Sequence, residues 1–392
     1  MSLQDTPQSN RLTIGIFGTT NSGKSSLLNA LTGQNFALVS DVAGTTTDPV
    51  YKAMEINGIG PVLFIDTAGF GDRTELGEKR QEKTMEALKK TDIVLVVVKS
   101  GEKKDEADEE TASFIKQLEA AKKTFIIIEN EFSENGEQKL KERRNEIIEQ
   151  IKEKIPADFA LHSLTAGLCS EGDVVILVMP QDIQAPKGRL ILPQVQVLRE
   201  LLDKKCIPVS CTTDKFEATL GKLSVNPKLI ITDSQVFGTV YETKCANPKT
   251  QDTLLTSFSV LMAASKGDIN KFIEGSSAID NLTENSRVLI AEACTHAPLD
   301  EDIGRVKIPR LLRKKVGENL KIDFVRGTDF TENPSAYDLI IHCGACMFNR
   351  SYVLNRQEKA ATARKGGIPM TNYGIAIAKL TGIIDKVAFP QE

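Results

Sequence analysis

Gly18-Thr19-Thr20-Asn21-Ser22-Gly23-Lys24-Ser25 fits the pattern G-x-x-x-x-G-K-[ST]. Residues 11–18 read as a strand running into a glycine loop, and residues 24–31 as the helix that follows. In that setting glycines let backbone N–H groups wrap phosphates, and the helix N-terminus adds positive potential. Lys24 is expected to reach the outer phosphates and Ser25 to hold Mg²⁺. A chance glycine turn is the competing reading. It loses to Ile65-Asp66-Thr67-Ala68-Gly69, an acidic residue at a strand end able to orient a magnesium-bound water. Thr45, Thr46 and Thr47, after Gly44, stand where a mobile loop could close over Mg²⁺ and the γ-phosphate. The candidate nucleotide contacts are Gly18, Asn21, Ser22, Gly23, Lys24, Ser25, Ser26, Thr45, Thr46, Thr47, Asp66, Gly69 and Asn130. Catalytic weight falls on Lys24, Ser25, Asp66 and Gly69, with Ser25 and Thr47 for Mg²⁺.

Outward from this loop, apolar runs at 62–65, 93–98 and 125–128 alternate with amphipathic stretches at 76–90, 111–122 and 137–155. This is the βαβ rhythm of a mostly parallel sheet covered by helices. The charge run 102–110 reads as a solvated loop and helix start. Near 167–172 the rhythm breaks. Strand 174–178, helix 194–204, strand 207–210, helix 215–223, strand 228–232 and helix 234–241 form a second α/β unit, closed by the apolar stretch 254–264. A third unit follows: helix 269–282, strand 288–293, helix 303–316, strands 321–325 and 339–342, helix 350–365, then 369–372 and 375–380. The fold class is α/β, a P-loop domain followed by two smaller α/β domains, with expected bounds 1–170, 171–265 and 266–392.

A chain of 392 residues exceeds one ordinary core. A net charge of −4 gives no electrostatic case for nucleic acid or an anionic membrane. No apolar run approaches the ~20 residues of a membrane helix. Residues 1–10 are polar and lack a signal-peptide core, so a cytoplasmic protein is expected. Seven cysteines then point to reduced thiols or metal ligands rather than disulfides.

Two apolar runs end in soft ligands: 288–293 enters Cys294-Thr295-His296, and 339–341 enters His342-Cys343-Gly344-Ala345-Cys346. Side by side, these runs would bring Cys294, Cys343 and Cys346, with His296 and His342, to the sheet edge where α/β folds place their sites. A redox Cys343/Cys346 pair leaves Cys294 and His296 unexplained. A tetrahedral zinc site and an iron–sulfur cluster on three thiolates, one iron open or weakly held by a histidine, remain equally open from spacing. Cys169, Cys206, Cys211 and Cys245 read as buried or incidental, with Cys169 and Cys245 in loops.

The first ~165 residues resemble the GTPases of the tRNA-modification and ribosome-assembly branch, through Asn21, Gly44-Thr45-Thr46-Thr47-Asp48 and Asp66-Thr67-Ala68-Gly69-Phe70. The resemblance implies an apolar residue, Phe70, in place of a catalytic glutamine, slow hydrolysis, and a K⁺ seated by Asn21. Where a guanine-reading Asn-Lys-x-Asp is expected, the chain has Asn130-Glu131-Phe132-Ser133, which keeps only the asparagine.

The run 185–194, Cys294-Thr295-His296, the run 302–310 and His342-Cys343-Gly344-Ala345-Cys346 extend a resemblance to the FeFe-hydrogenase maturation GTPases, the HydF family, over essentially the whole chain. That implies a scaffold binding GTP, Mg²⁺ and a 4Fe–4S cluster on Cys294, Cys343 and Cys346. His296 or His342 is a possible fourth ligand. It further implies a diiron subcluster as cargo, apo FeFe-hydrogenase and two radical-SAM maturases as partners, and a homodimer formed through the middle domain. The exposed strand for that pairing is expected within 254–260. Arg305, Lys307 and Arg350 could hold an anionic cargo, or be ordinary solvated surface. The alternative is a tRNA-modifying or ribosome-assembly GTPase with a structural zinc site.

Overall fold

The computed structural model describes residues 11–32, 49–56, 59–69, 83–99, 109–130, 137–155, 163–180, 190–293, 303–327 and 330–391. Two compact units divide the chain, Met1–Leu161 and His162–Glu392.

In the first unit the strand Leu12–Phe17 (β1) is buried at every residue, as its two-sided apolar sequence LTIGIF requires. It lies at the centre of a five-stranded sheet of order β2-β3-β1-β4-β5, with β2 Val50–Ile56, β3 Gly60–Asp66, β4 Ile93–Lys99 and β5 Thr124–Asn130. All neighbours are parallel except β2, which runs antiparallel to β3 along the edge. The alternating, half-solvated β2 escaped the apolar-run reading, because only one of its faces packs. Helices α1 (Lys24–Thr32), α2 (83–89), α3 (Glu109–Ala120) and α4 (Glu137–Glu153) cover the sheet. Leu12, Ile14 and Ile16 pack with Leu27, Leu31, Ile147 and Ile151 in one core layer. Phe17, Val94 and Val96 pack with Phe114 and Leu118 in the other.

The second unit holds two four-stranded parallel sheets. One has the order β7-β6-β8-β9, from β6 Val174–Val178, β7 Ile207–Cys211, β8 Leu229–Thr232 and β9 Leu254–Ser257. Its helices are α5 (Leu192–Asp203), α6 (Phe216–Lys222), α7 (Phe237–Ala246) and α8 (Phe258–Lys266). The other has the order β11-β10-β12-β13, from β10 Arg287–Glu292, β11 Lys321–Arg326, β12 Leu339–His342 and β13 Met370–Asn372. Its helices are α9 (Ile269–Ser276), α10 (Ile308–Val316), α11 (Arg350–Thr362) and α12 (Tyr373–Leu380). A single apolar cluster runs from Ile176, Ile230 and Leu255 of the first sheet, through Val260 of α8, to Leu289 and Ile340 of the second. The two sheets therefore share a core.

Three expectations are corrected. The stretch 254–260 is not one exposed strand: β9 stops at Ser257, whose hydroxyl caps the N-terminus of α8 through the Val260 N–H. Leu255, Phe258, Val260 and Leu261 are buried, and the Ala388 N–H bonds the Leu255 carbonyl at 2.7 Å, so the C-terminal tail covers this edge. The exposed edge of that sheet is β7, with Ile207 half in solvent. Cys245 lies on helix α7 rather than in a loop, though it is exposed. The helix expected over 303–316 opens as a π-helical turn, Ile303–Lys307, ahead of α10. Gly304 in that turn leaves room for Tyr373 of α12, since a Cβ there would overlap the Tyr373 hydroxyl.

Candidate nucleotide and metal sites

The phosphate loop leaves the carboxyl end of β1 and enters α1 through Gly18 (φ 159°), Asn21 (φ 62°) and Gly23 (φ 95°). Asparagine is among the few side chains that tolerate the left-handed region, so Asn21 holds the loop's turn while remaining exposed to solvent. Lys24 Nζ donates to the carbonyls of Gly18 at 3.2 Å and Thr19 at 2.8 Å. Burial lowers its ammonium from 10.5 to about 8, against the opposing pull of Asp66. Ser25 Oγ donates to Asp66 Oδ2 at 2.9 Å, joining the loop to the end of β3. Burial raises the Asp66 carboxyl, and the Ser25 hydrogen bond and Lys24 only partly oppose it.

Gly69 has no room for a side chain, since a Cβ would lie 2.6 Å from both the Thr20 nitrogen and its Cα. The segment after β3 thus presses backbone to backbone on the phosphate loop. Thr67 anchors it, donating its hydroxyl to the Ile16 carbonyl at 2.7 Å. Asp66 Oδ1 and Ser22 Oγ are buried and have no protein partner among the described residues. A carboxylate oxygen and a hydroxyl left over beside Ser25 and Lys24 fit a phosphate chain with its magnesium. Ser26 lies in the first turn of α1. Asn130 ends β5. Thr45, Thr46, Thr47 and Phe70 lie outside the described residues, as do residues 131–133 of the eroded guanine motif.

At the second site β10 and β12 are parallel neighbours in register, Ala291 opposite His342, so both runs end side by side as their sequences suggested. The Cys343 N–H bonds the Ala291 carbonyl at 3.0 Å, continuing the ladder one residue. Cys343 Sγ accepts from the Ala293 N–H at 3.0 Å and the Ala345 N–H at 3.4 Å. Ala345 takes φ 48°, which turns the chain back toward Cys346. Cys346 packs against the apolar cluster to which Leu261 and Met262 of α8 belong, and a Cβ on Gly344 would meet the Met262 Cβ at 3.5 Å. Cys294 and His296 lie outside the described residues, and the described residues alone contain no metal-holding group of three or more such side chains. Two half-buried sulfurs at a strand end, one of them hydrogen-bonded by backbone, fit a thiolate-held iron–sulfur cluster.

His342 is placed differently from a ligand. Its ring is fully buried, with Nδ1 2.7 Å from the Cys343 carbonyl and Nε2 2.9 Å from Arg356 Nη1. A guanidinium only donates, so Nε2 accepts and Nδ1 carries the proton given to Cys343. Both nitrogens are spent inside the protein, and His342 braces the cysteine loop rather than offering a lone pair. The three cations expected at the rim are also committed. Arg305 makes a forked pair with the Glu292 carboxylate at 3.0 and 3.2 Å, and Arg326 joins it at 3.1 Å. Lys307 donates to the Gln235 carbonyl, and Arg350 to three carbonyls at the end of α8. Glu292, Arg326 and Arg356 were missed in the sequence. The available signal was an acid closing an apolar strand, and an arginine seated on the face of α11 that carries Tyr352 and Val353 into the core.

The class defined by this arrangement is a P-loop GTPase domain followed by two α/β modules. A model described as 50S ribosome-binding GTPase matches residues 13–131. A hydrogen maturase F dimerization domain matches residues 164–267, and a hydrogen maturase F tetramerization domain matches residues 270–390. The chain belongs to the hydrogen maturase F family of hydrogenase-maturation GTPases.

Curated relatives match over part of the chain. GTPase Der of Campylobacter concisus is 37% identical over 150 residues, which is 38% of this chain and 30% of that protein. GTPase Der of Wolinella succinogenes is 53% identical over 88 residues, 22% of this chain and 18% of that one. tRNA modification GTPase MnmE of Endomicrobium trichonymphae is 30% identical over 241 residues, 59% of this chain and 51% of the relative. The chain thus spans between a fifth and a half of these relatives' lengths. Among solved structures, Aquifex aeolicus Era bound to GDP and AlF4⁻ aligns with TM-score 0.31 and 17% identity, over 51% of this chain and 92% of Era. No described helix is long and apolar enough to cross a membrane.

Proposed function

We propose that this protein hydrolyses GTP slowly and serves as a scaffold for a 4Fe–4S cluster held by Cys294, Cys343 and Cys346. On it the diiron subcluster of an FeFe-hydrogenase is assembled or carried. The cargo is supplied with two radical-SAM maturases and delivered to the apo-hydrogenase. The observation that carries this reading is the Cys343 sulfur, bonded by the Ala293 N–H at 3.0 Å one residue ahead of Cys294. It ties the Cys-x-x-Cys loop to the strand that leads into the third thiol. The cluster, when bound, supplies an iron with an exchangeable ligand. With His342 spent on Cys343 and Arg356, the fourth position falls to His296 or to a ligand from outside the chain.

In the nucleotide site Lys24 holds the outer phosphates, and Ser25 with Thr47 would hold Mg²⁺, which supplies charge neutralisation at the transferring phosphoryl. Asp66 fixes the Ser25 hydroxyl. Asn21 stands where a K⁺ could add the positive charge that Phe70, standing for a catalytic glutamine, does not provide. Nucleotide preference is loosened by the loss of the lysine and aspartate of the guanine motif. The homodimer forms through the middle module, for which β7 offers a strand edge unpaired among the described residues.

Anaerobic reconstitution with iron and sulfide, followed by metal analysis and EPR, tests the cluster. Iron with a reducible cluster signal is expected. A colourless protein with stoichiometric zinc and no iron uptake would overturn it and favour the structural-zinc reading.

A further inference from the structure

The family boundary between the two modules of the second unit falls at residues 267–270, where α8 ends and α9 begins. That joint is gripped by α11, the helix that follows the cysteine loop directly. Arg350, its first residue, donates Nη1 to the carbonyls of Ala264 (3.1 Å), Ser265 (3.1 Å) and Gly267 (2.8 Å). These are last-turn and cap carbonyls of α8, where the helix dipole favours a cation. Seven residues on, at the same face of α11, Gln357 makes a reciprocal pair with the backbone of Asp268. Its Oε1 accepts from the Asp268 N–H at 2.8 Å and its Nε2 donates to the Asp268 carbonyl at 3.1 Å. Gln357 is buried.

Between Cys346 and Arg350 the chain has little slack. The Phe348 N–H bonds the Ala345 carbonyl at 2.9 Å, the Asn349 side chain caps α11 through the Tyr352 N–H, and Phe348 stacks on Tyr352 at 4.3 Å. On its other side the loop rests on α8, with Gly344 against Met262 and Cys346 beside the apolar cluster that Leu261 and Met262 help to form. The cysteine loop is thus bounded by α8, and the helix emerging from the loop is bolted to the end of that same α8.

We propose that Arg350 and Gln357 are positioning residues of the metal centre. They form a clasp that fixes the Cys343–Cys346 loop to the last helix of the dimerization module, so that movement at the module joint is felt at the sulfurs. This rests on the cluster reading, because the clasp acts through Cys343 and Cys346. The alternative is a clasp that serves only general stability.

The test uses the full-length chain in two arms. In the metal-free protein, iodoacetamide labelling of Cys343 and Cys346 is followed by peptide mass spectrometry against the exposed Cys245 as internal reference. In Arg350→Met, labelling of Cys346 should quicken about tenfold over wild type as the loop opens locally. Arg350→Lys, which keeps the charge, should recover part of the protection. In the second arm, iron-reconstituted protein is compared by EPR lineshape and by the rate of iron release to a chelator. Arg350→Met should shift the lineshape and speed release about tenfold, in line with other residues that orient metal ligands, with its melting curve near wild type.

Gln357→Ala, expected to act in the same direction but more weakly, keeps the test decisive if Arg350→Met does not fold. Unchanged labelling, lineshape and release in a folded variant would overturn the clasp, as would a lowered melting temperature unaccompanied by either change. If wild type takes up no iron, the cluster reading fails, and the labelling arm still decides whether the clasp holds the loop.

Discussion

The two sites are built in opposite ways. The nucleotide site draws on two loops of one domain, leaving the neighbouring parallel strands β1 and β3, and its key contacts are Lys24 to its own loop and Ser25 to Asp66. The proposed metal site uses a loop after β12 and the end of β10, with α8 of another module packed against the loop and α11 gripping the end of that helix. A site made within a local loop carries its geometry with it. A site shared between modules depends on how those modules are joined.

The largest effect expected from that difference is at the thiols. Cys343→Ser removes the sulfur that accepts from Ala293 and Ala345, and iron after anaerobic reconstitution should fall to background while GTP turnover is unchanged. Joint loss of iron and turnover would break the comparison, because it would make the two sites one cooperative unit. Lys24→Ala is the mirror experiment. Loss of the buried ammonium should lower the hydrolysis rate by roughly 10²–10³-fold, with iron content and EPR lineshape as in wild type.

A smaller effect is expected from pH. Burial lowers the Lys24 ammonium to about 8 in the nucleotide-free protein. Phosphate binding requires the charged form, so it is intact below that value and weakens as pH rises through it, by about tenfold per pH unit at most. Titration with a fluorescent GTP analogue between pH 7 and 9.5 checks the sign. Affinity that is flat to pH 9.5 would mean that Lys24 stays charged in the loop. Iron retention should not follow this curve.

The same contrast governs what could be read in the sequence. The phosphate loop was legible because its chemistry is encoded in consecutive residues, Gly18 to Ser25, with Asp66 at a strand end. The pairing of β10 with β12 was legible because both are short apolar runs between helical stretches, and fully buried parallel strands read that way. Residues 254–260 were misread as one exposed strand, since an apolar run cannot by periodicity alone be told from a strand that passes into a buried helix. Ser257 was the available sign of the change, as a capping serine ahead of the apolar residues of α8. His342 read as a possible fourth ligand because it stands beside Cys343. Its Nε2 partner, Arg356, is set by the docking of α11, which no local pattern encodes. Arg350 likewise looked like rim charge, and only the position of α8 shows where its guanidinium goes.

The mildest prediction concerns the start of the second unit. Glu200 on α5 accepts from Ser163 Oγ (2.8 Å), the Leu164 N–H (2.6 Å), and the N–H and hydroxyl of Thr165 (2.8 and 2.7 Å). Burial pushes its carboxyl up, but the hydrogen bonds from Thr165, Leu164 and Ser163 together outweigh it and hold the group below its ordinary 4.5. A depressed carboxyl contributes stability that is full above the ordinary value and is lost as pH falls through the lowered one. Near neutral pH, Glu200→Gln keeps one acceptor oxygen and loses the charge, at a cost of about 1.5 kcal/mol. That is about tenfold faster amide exchange at Leu164 and Thr165 if opening is local. In wild type the same amides should lose protection only below pH 4.5, after correction for the intrinsic exchange rate. GTP turnover and iron content should both be unchanged, because the Glu200 hydrogen bonds reach only Ser163, Leu164 and Thr165 and touch neither candidate site. Faster exchange that reached Ala293 and Ala345 would instead tie the metal loop to the entry of its unit, and extend the shared construction of that site beyond α8 and α11.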